Sequence, residues 1–309
     1  MNVTVGIDMG GTRVKIGFIH NGEVLFGKVI PSKADGSLSS QLNTIADEVN
    51  LVLEEKQYTI DGVGIAFPGI VNASEKKILS KYVKYPDATS MNLTDWAKEK
   101  WGVPFVLEND VRAALLGEWQ FGAGHGASDL VMITLGTGVG SAVMFDGKLL
   151  RGVNHIAGNL GGHMTINLNG DRCNCGHIGC VESESSTWML KKVQESDKFA
   201  SSALSKVPKV DFASVFACAK EGDDLALEIR EHSLNTWALC IINMVLAYDP
   251  ERIVIGGGIM HSKQFIIPRL IELIKNNVWI KDNPLEIKSA EQLEYAGILG
   301  LYHLLNSNL

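Results

Sequence analysis

Four residues could hold a metal ion: His163, Cys173, Cys175 and Cys180 stand in the order H-x9-C-x-C-x4-C. One imidazole and three thiolates are a common tetrahedral zinc set. Three of the chain's five cysteines fall within eight positions, and Gly176 and Gly179 allow a tight turn between Cys175 and Cys180. The plain alternative is a loop of reduced surface thiols beside a lone histidine. Four protein ligands leave no position open for water, so such an ion would hold a loop and do no chemistry. Glu182 follows the last cysteine by two residues, and His163 keeps a second ring nitrogen for a neighbour.

Three glycine sites could take a nucleotide. In Asp8-Met9-Gly10-Gly11-Thr12, backbone N–H groups can approach phosphate oxygens, the Thr12 hydroxyl adds a donor, and Asp8 can hold Mg²⁺ through water. Gly136-Thr137-Gly138 offers the same chemistry later in the chain. Neither is a Walker A loop, because no Gly-Lys-Ser/Thr follows, and neither is a dinucleotide fingerprint, because each turns into a strand. Either loop taken alone is also an ordinary hairpin turn. Gly256-Gly257-Gly258 exposes backbone that can lie against a flat ring or a ribose, or it is a tight strand-to-helix turn. Asn109-Asp110 adds an amide and a carboxylate at a strand end. The carboxylate can act as general base toward a hydroxyl, and Asn109 can donate and accept toward neighbouring hydroxyls. The rival reading makes Asp110 the N-cap of the helix that follows.

These residues need elements to position them. Val3–Ile7 is a buried-type strand that breaks at the first glycine loop, a second strand follows, and Asn21-Gly22 is a hairpin signal before a third over Val24–Val29. Ser39–Lys56 carries a helical stripe, Val63–Phe67 is a strand ended by Pro68-Gly69, Val103–Leu107 is another, and Val111–Phe121 reads as helix. The pattern restarts at Leu130–Leu135, the second glycine loop and Val139–Phe145, with a turn at Asp146-Gly147. Glu182–Val193, Phe212–Lys220 and Asp224–Tyr248 read as helices, then come strands at Ile253–Ile255 and Leu285–Ser289 and a terminal helix over Tyr295–Leu305. The expectation is an α/β chain with a duplicated βββαβα core and an inserted zinc loop, the two-lobed actin-like ATPase (ribonuclease H-like) plan. Residues 1–112 with a C-terminal helix at about 292–309 would form a small lobe and 113–291 a large one, with the two phosphate loops facing across a cleft.

Composition sets limits. At 309 residues, 46% hydrophobic and 20% charged, the chain has the profile of a soluble globular protein of about two domains. A net charge of −7 argues against a nucleic-acid or anionic-membrane surface. No apolar run approaches membrane-spanning length, no signal peptide is visible, and the thiol count fits a reducing compartment, so a cytoplasmic protein is expected. Cys218 and Cys240 are read as buried thiols, Trp188 and Trp237 as core, His155 and His177 as polar loop residues, and Glu184 as part of a solvated helix start.

The motifs in order resemble the ROK family (repressors, open reading frames and sugar kinases). They are V-G-I-D-M-G-G-T-R-V-K from Val5, G-I-A-F-P-G from Gly64, E-N-D-V-R-A-A from Glu108, T-L-G-T-G-V-G from Thr134, the metal motif, and D-P-E-R-I-V-I-G-G-G from Asp249. The resemblance covers nearly the whole chain. It implies an ATP-dependent hexose kinase, acting on the 6-hydroxyl of glucose or a close relative, with Asp110 as base. It places Gly69, Asn109, Asp110, Asn159, His163 and Glu182 at the sugar. Asp8, Gly10, Gly11, Thr12, Lys15, Gly136, Thr137 and Gly138 would serve the phosphates with Mg²⁺, Gly256 and Gly257 the adenosine, and the metal would be structural Zn²⁺ in a homodimer. The alternatives are a kinase for N-acetylmannosamine or N-acetylglucosamine, or a catalytically weak sugar-binding regulator. A repressor is disfavoured, because Asp8 lies too near the first residue for a preceding DNA-binding domain. One departure stands out. Family kinases carry Glu in A-G-E-x-G-H, whereas this chain reads Ala157-Gly158-Asn159-Leu160-Gly161-Gly162-His163. Either Leu160 replaces that Glu, or a residue is inserted and Asn159 stands in for it, which puts the sugar preference in question.

Overall fold

The computed structural model describes residues 1–32, 36–275 and 285–307. They divide into two compact units: Met1–Gly126 with Arg151–Ile156 and Glu294–Leu309, and Ala127–Leu150 with Ala157–Leu293.

In the first unit β1 (Asn2–Met9) pairs antiparallel with β2 (Arg13–His20), which pairs with β3 (Glu23–Pro31). Helix α1 (Leu38–Lys56) is capped by Ser37 and buries Leu38, Leu42, Ile45, Val49 and Val52, a stripe at helical spacing. Next come β4 (Thr59–Phe67), the short hairpin of β5 (Val71–Asn72) and β6 (Lys77–Ile78), α2 (Leu93–Trp101), β7 (Phe105–Asn109) and α3 (Asp110–Phe121). The sheet order is β3-β2-β1-β4-β7, with β4 parallel to both β1 and β7. The central strands are near-continuous apolar runs because helices cover both faces of such a sheet.

The second unit repeats the plan. β8 (Leu130–Leu135) pairs antiparallel with β9 (Val139–Phe145), which pairs with β10 (Lys148–Leu149). The metal-motif region leads to α4 (Val181–Ser185), α5 (Leu190–Val193), α6 (Phe212–Lys220) and α7 (Asp224–Tyr248). Then follow β11 (Arg252–Gly256), α8 (Lys263–Lys275), β12 (Glu286–Ser289) and α9 (Ala296–Asn306), the last belonging to the first unit. The order β10-β9-β8-β11-β12 matches that of the first sheet strand for strand. No helix among the described residues is long and apolar enough to cross a membrane.

Several expectations shift. The units divide after Gly126, not at 112/113, because α3 packs against α9: a Cβ at Gly300 would lie 1.8 Å from the Ala113 carbonyl oxygen, so the helices meet backbone to backbone. The single helix expected over Glu182–Val193 is two pieces. The Thr187 N–H and hydroxyl both donate to the Gly136 carbonyl (3.0 and 2.8 Å), and Trp237 Nε1 donates to the Ser185 carbonyl (3.0 Å), which takes these groups out of a helical ladder. Trp188 therefore sits half-buried in the break under the Lys192 ammonium, while Trp237 is core. Cys240 is buried and Cys218 only partly so. Helix α8 runs unbroken through Pro268, a residue that argues against a helix interior in the sequence.

Candidate functional site

In the first unit the parallel strands deliver their polar residues to one sheet edge. Asp8 lies opposite Lys15 across β1 and β2, and Phe67 at the end of β4 is in register with Asn109 at the end of β7. The cap of α3 is Asn109, not Asp110: Asn109 has extended backbone and its Oδ1 accepts the Val111 and Arg112 N–H groups (3.0 Å each). Its Nδ2 donates to the Gly69 carbonyl (3.0 Å) and to Asp110 Oδ1 (2.8 Å). Protein groups thus fill the whole hydrogen-bonding capacity of this amide. Asn109 fixes Gly69 and Asp110 where free contacts to hydroxyls were expected of it. Buried Glu108 accepts the Asn109 N–H (2.8 Å) and pairs with Arg151 (2.6 Å), which pins the same backbone from behind.

Asp110 is left to do something else. Its Oδ1 takes the Val111 N–H (2.9 Å) and the Asn109 amide. Burial and then the charge of Asp8 push its pKa up to about 7 against those two hydrogen bonds. Asp8 is also raised, by burial first, with Lys15 and Arg13 pulling the other way. Lys15 Nζ is held by the carbonyl and the carboxylate of Glu294 (2.9 Å each). Two recessed carboxylates, both raised by burial and one further by the charge of the other, suit a divalent cation, which would relieve both.

In the second unit the four expected metal ligands come together, with one ligand atom from each lying within 4.8 Å of all the others. Cys175 Sγ and Cys180 Sγ are 3.6 Å apart, as are Cys173 Sγ and His163 Nδ1. Zn–S bonds of about 2.3 Å put tetrahedral sulfurs roughly 3.8 Å apart, and a shorter Zn–N bond brings that edge in slightly, so the cage fits one such ion. Burial and the neighbouring thiols push Cys180 well above the ordinary thiol range, so a cation is what would keep three thiolates ionised here. His163 turns Nδ1 into the cage. His177, as expected, is no part of it: its ring is exposed and its carbonyl accepts the Cys173 N–H.

The second glycine loop adjoins this region. Glu182 Oε2 accepts the Val139 N–H (3.0 Å), and a Cβ at Gly138 would sit 2.2 Å from the same oxygen, so a side chain there would push the carboxylate off that N–H. Gly257, with φ of +90°, lies against the Leu135 carbonyl, which brings the third glycine turn next to the second. Asn159 is buried with its Oδ1 unpartnered, whereas Leu160 is exposed; of the two, Asn159 holds the polar position.

Glu184 is not a solvated helix start. It is buried, and its carboxylate accepts the Asp171 N–H (3.0 Å) and the Asn167 amide (3.1 Å) from the strand of loop that leads to Cys173. A Cβ on Gly170 would fall 2.2 Å from its Oε1. The sequence holds a signal for this latch in Gly170 and Glu184 themselves, but nothing local pairs them.

Two α/β units with one strand order, each opening on a glycine turn between its first two strands, define the actin-like ATPase fold. The chain belongs to the ROK family, whose model matches residues 4–308. It is 31% identical over 315 residues to a glucokinase of Thermotoga maritima, covering 99% of this chain and 98% of that one. A xylose repressor of Caldicellulosiruptor bescii is 27% identical over 317 residues, with 99% of this chain and 78% of the repressor covered. The solved structure of a ROK glucokinase from Streptomyces griseus, in complex with glucose and AMPPNP, superposes with a TM-score of 0.82 at 24% identity over 98% of both chains.

Proposed function

We propose that the chain is an ATP-dependent hexose kinase that transfers the γ-phosphoryl group to a sugar hydroxyl, the 6-hydroxyl of glucose or a close relative. The observation that carries this reading is the division of labour at Asn109-Asp110. Asn109 takes the helix cap, so Asp110 stands as a recessed carboxylate whose proton affinity sits near neutrality. A general base works best there. Asp110 accepts the proton of the attacking hydroxyl as its oxygen bonds to phosphorus, and the bond from phosphorus to the bridging oxygen of ADP breaks.

The loops at Asp8–Thr12 and Gly136–Gly138, with Lys15, serve the phosphates, and Gly256 and Gly257 the adenosine. Asp8 would hold Mg²⁺, which when bound neutralises charge on the transferred group. Gly69, Asn159, His163 and Glu182 serve the sugar. His163, Cys173, Cys175 and Cys180 would hold a structural Zn²⁺, which would keep His163 and Glu182 on one frame. The working form is a homodimer in the cytoplasm, with a hexose as its small-molecule partner and neither nucleic acid nor membrane bound. Asn159, an amide where family kinases carry a carboxylate, favours a second reading, a kinase for N-acetylmannosamine or N-acetylglucosamine. A coupled ADP-release assay with glucose, mannose and both N-acetylhexosamines tests the proposal. Release that depends on one of these sugars supports it, and ADP release indifferent to sugar sinks it.

A further inference from the structure

Tyr82 follows the β5–β6 hairpin in the first unit, in a stretch without helical or strand periodicity. Its ring packs edge-on against Phe67 (centroids 5.8 Å apart, 71° between planes), the residue in register with Asn109. On its other side it meets Tyr85 at 5.9 Å, and the two residues are bridged, with the Tyr85 N–H donating to the Tyr82 carbonyl (3.0 Å). The two phenols end differently. Buried Tyr85 spends its hydroxyl on Ser32 (2.8 Å). The Tyr82 hydroxyl instead reaches the first glycine loop, where a Cβ on Gly11 would lie 3.6 Å from its oxygen. The ring is therefore fixed beside the Asn109-Asp110 strand end while its hydroxyl faces the loop assigned to phosphate.

We infer that the Tyr82 hydroxyl donates a hydrogen bond to an oxygen of the phosphoryl group in transfer, which makes Tyr82 a catalytic residue of this kinase beyond Asp110. The inference rests on the kinase reading. Chemistry supports the role. Asp8 and Asp110 crowd this edge with negative charge, and a neutral donor there offsets the charge on phosphoryl oxygens. Tyr82 keeps its proton at any working pH, because burial and then the charge of Asp110 push its pKa up to about 12.

Tyr82→Phe keeps the ring and its packing and removes only the donor. A donor to a charged oxygen is worth about 10- to 100-fold, so kcat should fall by that factor while KM for hexose and ATP stays within about threefold. The thermal midpoint should not move. Calorimetric titration supplies a second readout: with glucose present, ADP plus aluminium fluoride should bind Tyr82→Phe about 10- to 100-fold more weakly than wild type, and AMPPNP within about threefold. An active wild type with an unchanged Tyr82→Phe kcat overturns this inference alone, as does a rise in hexose KM at constant kcat or an equal loss for both nucleotide complexes. A wild type with no hexose-dependent ADP release takes down the kinase reading, and this one with it.

Discussion

Glu184 gives the loop around the metal cage a test that does not depend on turnover. Replacing it with Ala strips two hydrogen bonds, from the Asp171 N–H and the Asn167 amide, and takes the carboxylate away from His232 Nε2, 3.5 Å off and exposed to water. Asp171 is exposed, so water can take over part of that loss. At the low end of the cost of an unmade hydrogen bond, about 1 kcal/mol each, the loop loses about 2 kcal/mol of docking. Docking and metal binding are linked, and 1.4 kcal/mol is tenfold, so zinc should be held roughly 30-fold less tightly. Structural zinc binds with about 10–16 kcal/mol, far more than this loss, so stoichiometry at purification stays near one zinc per chain in both proteins. The difference has to be read by competition with a chromogenic chelator. Transfer of zinc from Glu184→Ala should be roughly 30-fold easier than from wild type. Glu184→Gln, which keeps one acceptor, should fall between. Gly170→Ala pushes a methyl into the carboxylate and should resemble Glu184→Ala. Equal chelator competition in all four proteins would refute the latch.

Three further outcomes follow from the site. The kcat/KM for the sugar should drop about tenfold from pH 8 to pH 6, because a base with a pKa of about 7 passes from mostly ionised to mostly protonated; a flat profile with its limb below pH 5 would mean an ordinary carboxylate. The same shift has a sign for stability. A carboxyl raised in the folded state favours folding while protonated and loses that contribution as pH climbs toward 7, so Asp110→Asn should melt higher than wild type at pH 8 and no higher at pH 4, as paired melts would show. Wild type should separate glucose from its 2-substituted relatives by less than ~100-fold in kcat/KM, and Asn159→Glu should widen the gap by restoring a charge-assisted hydrogen bond worth about 1.5–3 kcal/mol.

Much of the fold is legible because its central strands are buried on both faces and end abruptly at glycine. The metal cage is legible because its ligands are close in sequence and chemically rare. What escapes the sequence depends on partners far along the chain. The break between α4 and α5 is made by Gly136 and Trp237, neither of which is near Ser186 in sequence. The boundary between units moves because Gly300 admits α9 onto α3. Asn109 and Asp110 are both good cap residues, and only backbone geometry says which one caps. Glu184 sits among serines and reads as surface until its acceptors are paired with the loop. Tyr82 belongs to no periodic pattern, and only its place beside Phe67 and Gly11 distinguishes it.

Asp110 as the base of a hexose phosphorylation driven by ATP is the proposal from which the other roles follow. Phosphorus NMR of wild type and Asp110→Asn with ATP, Mg²⁺ and glucose tests it most directly. Asn can still accept the Val111 N–H and cap nothing that Asn109 does not already cap, so the fold and the affinities for glucose and AMPPNP should survive. Wild type should convert ATP to ADP and a hexose phosphate one for one, and Asp110→Asn should do so at least ~10²-fold more slowly. Wild-type rates of hexose phosphate formation by a folded Asp110→Asn would contradict the account.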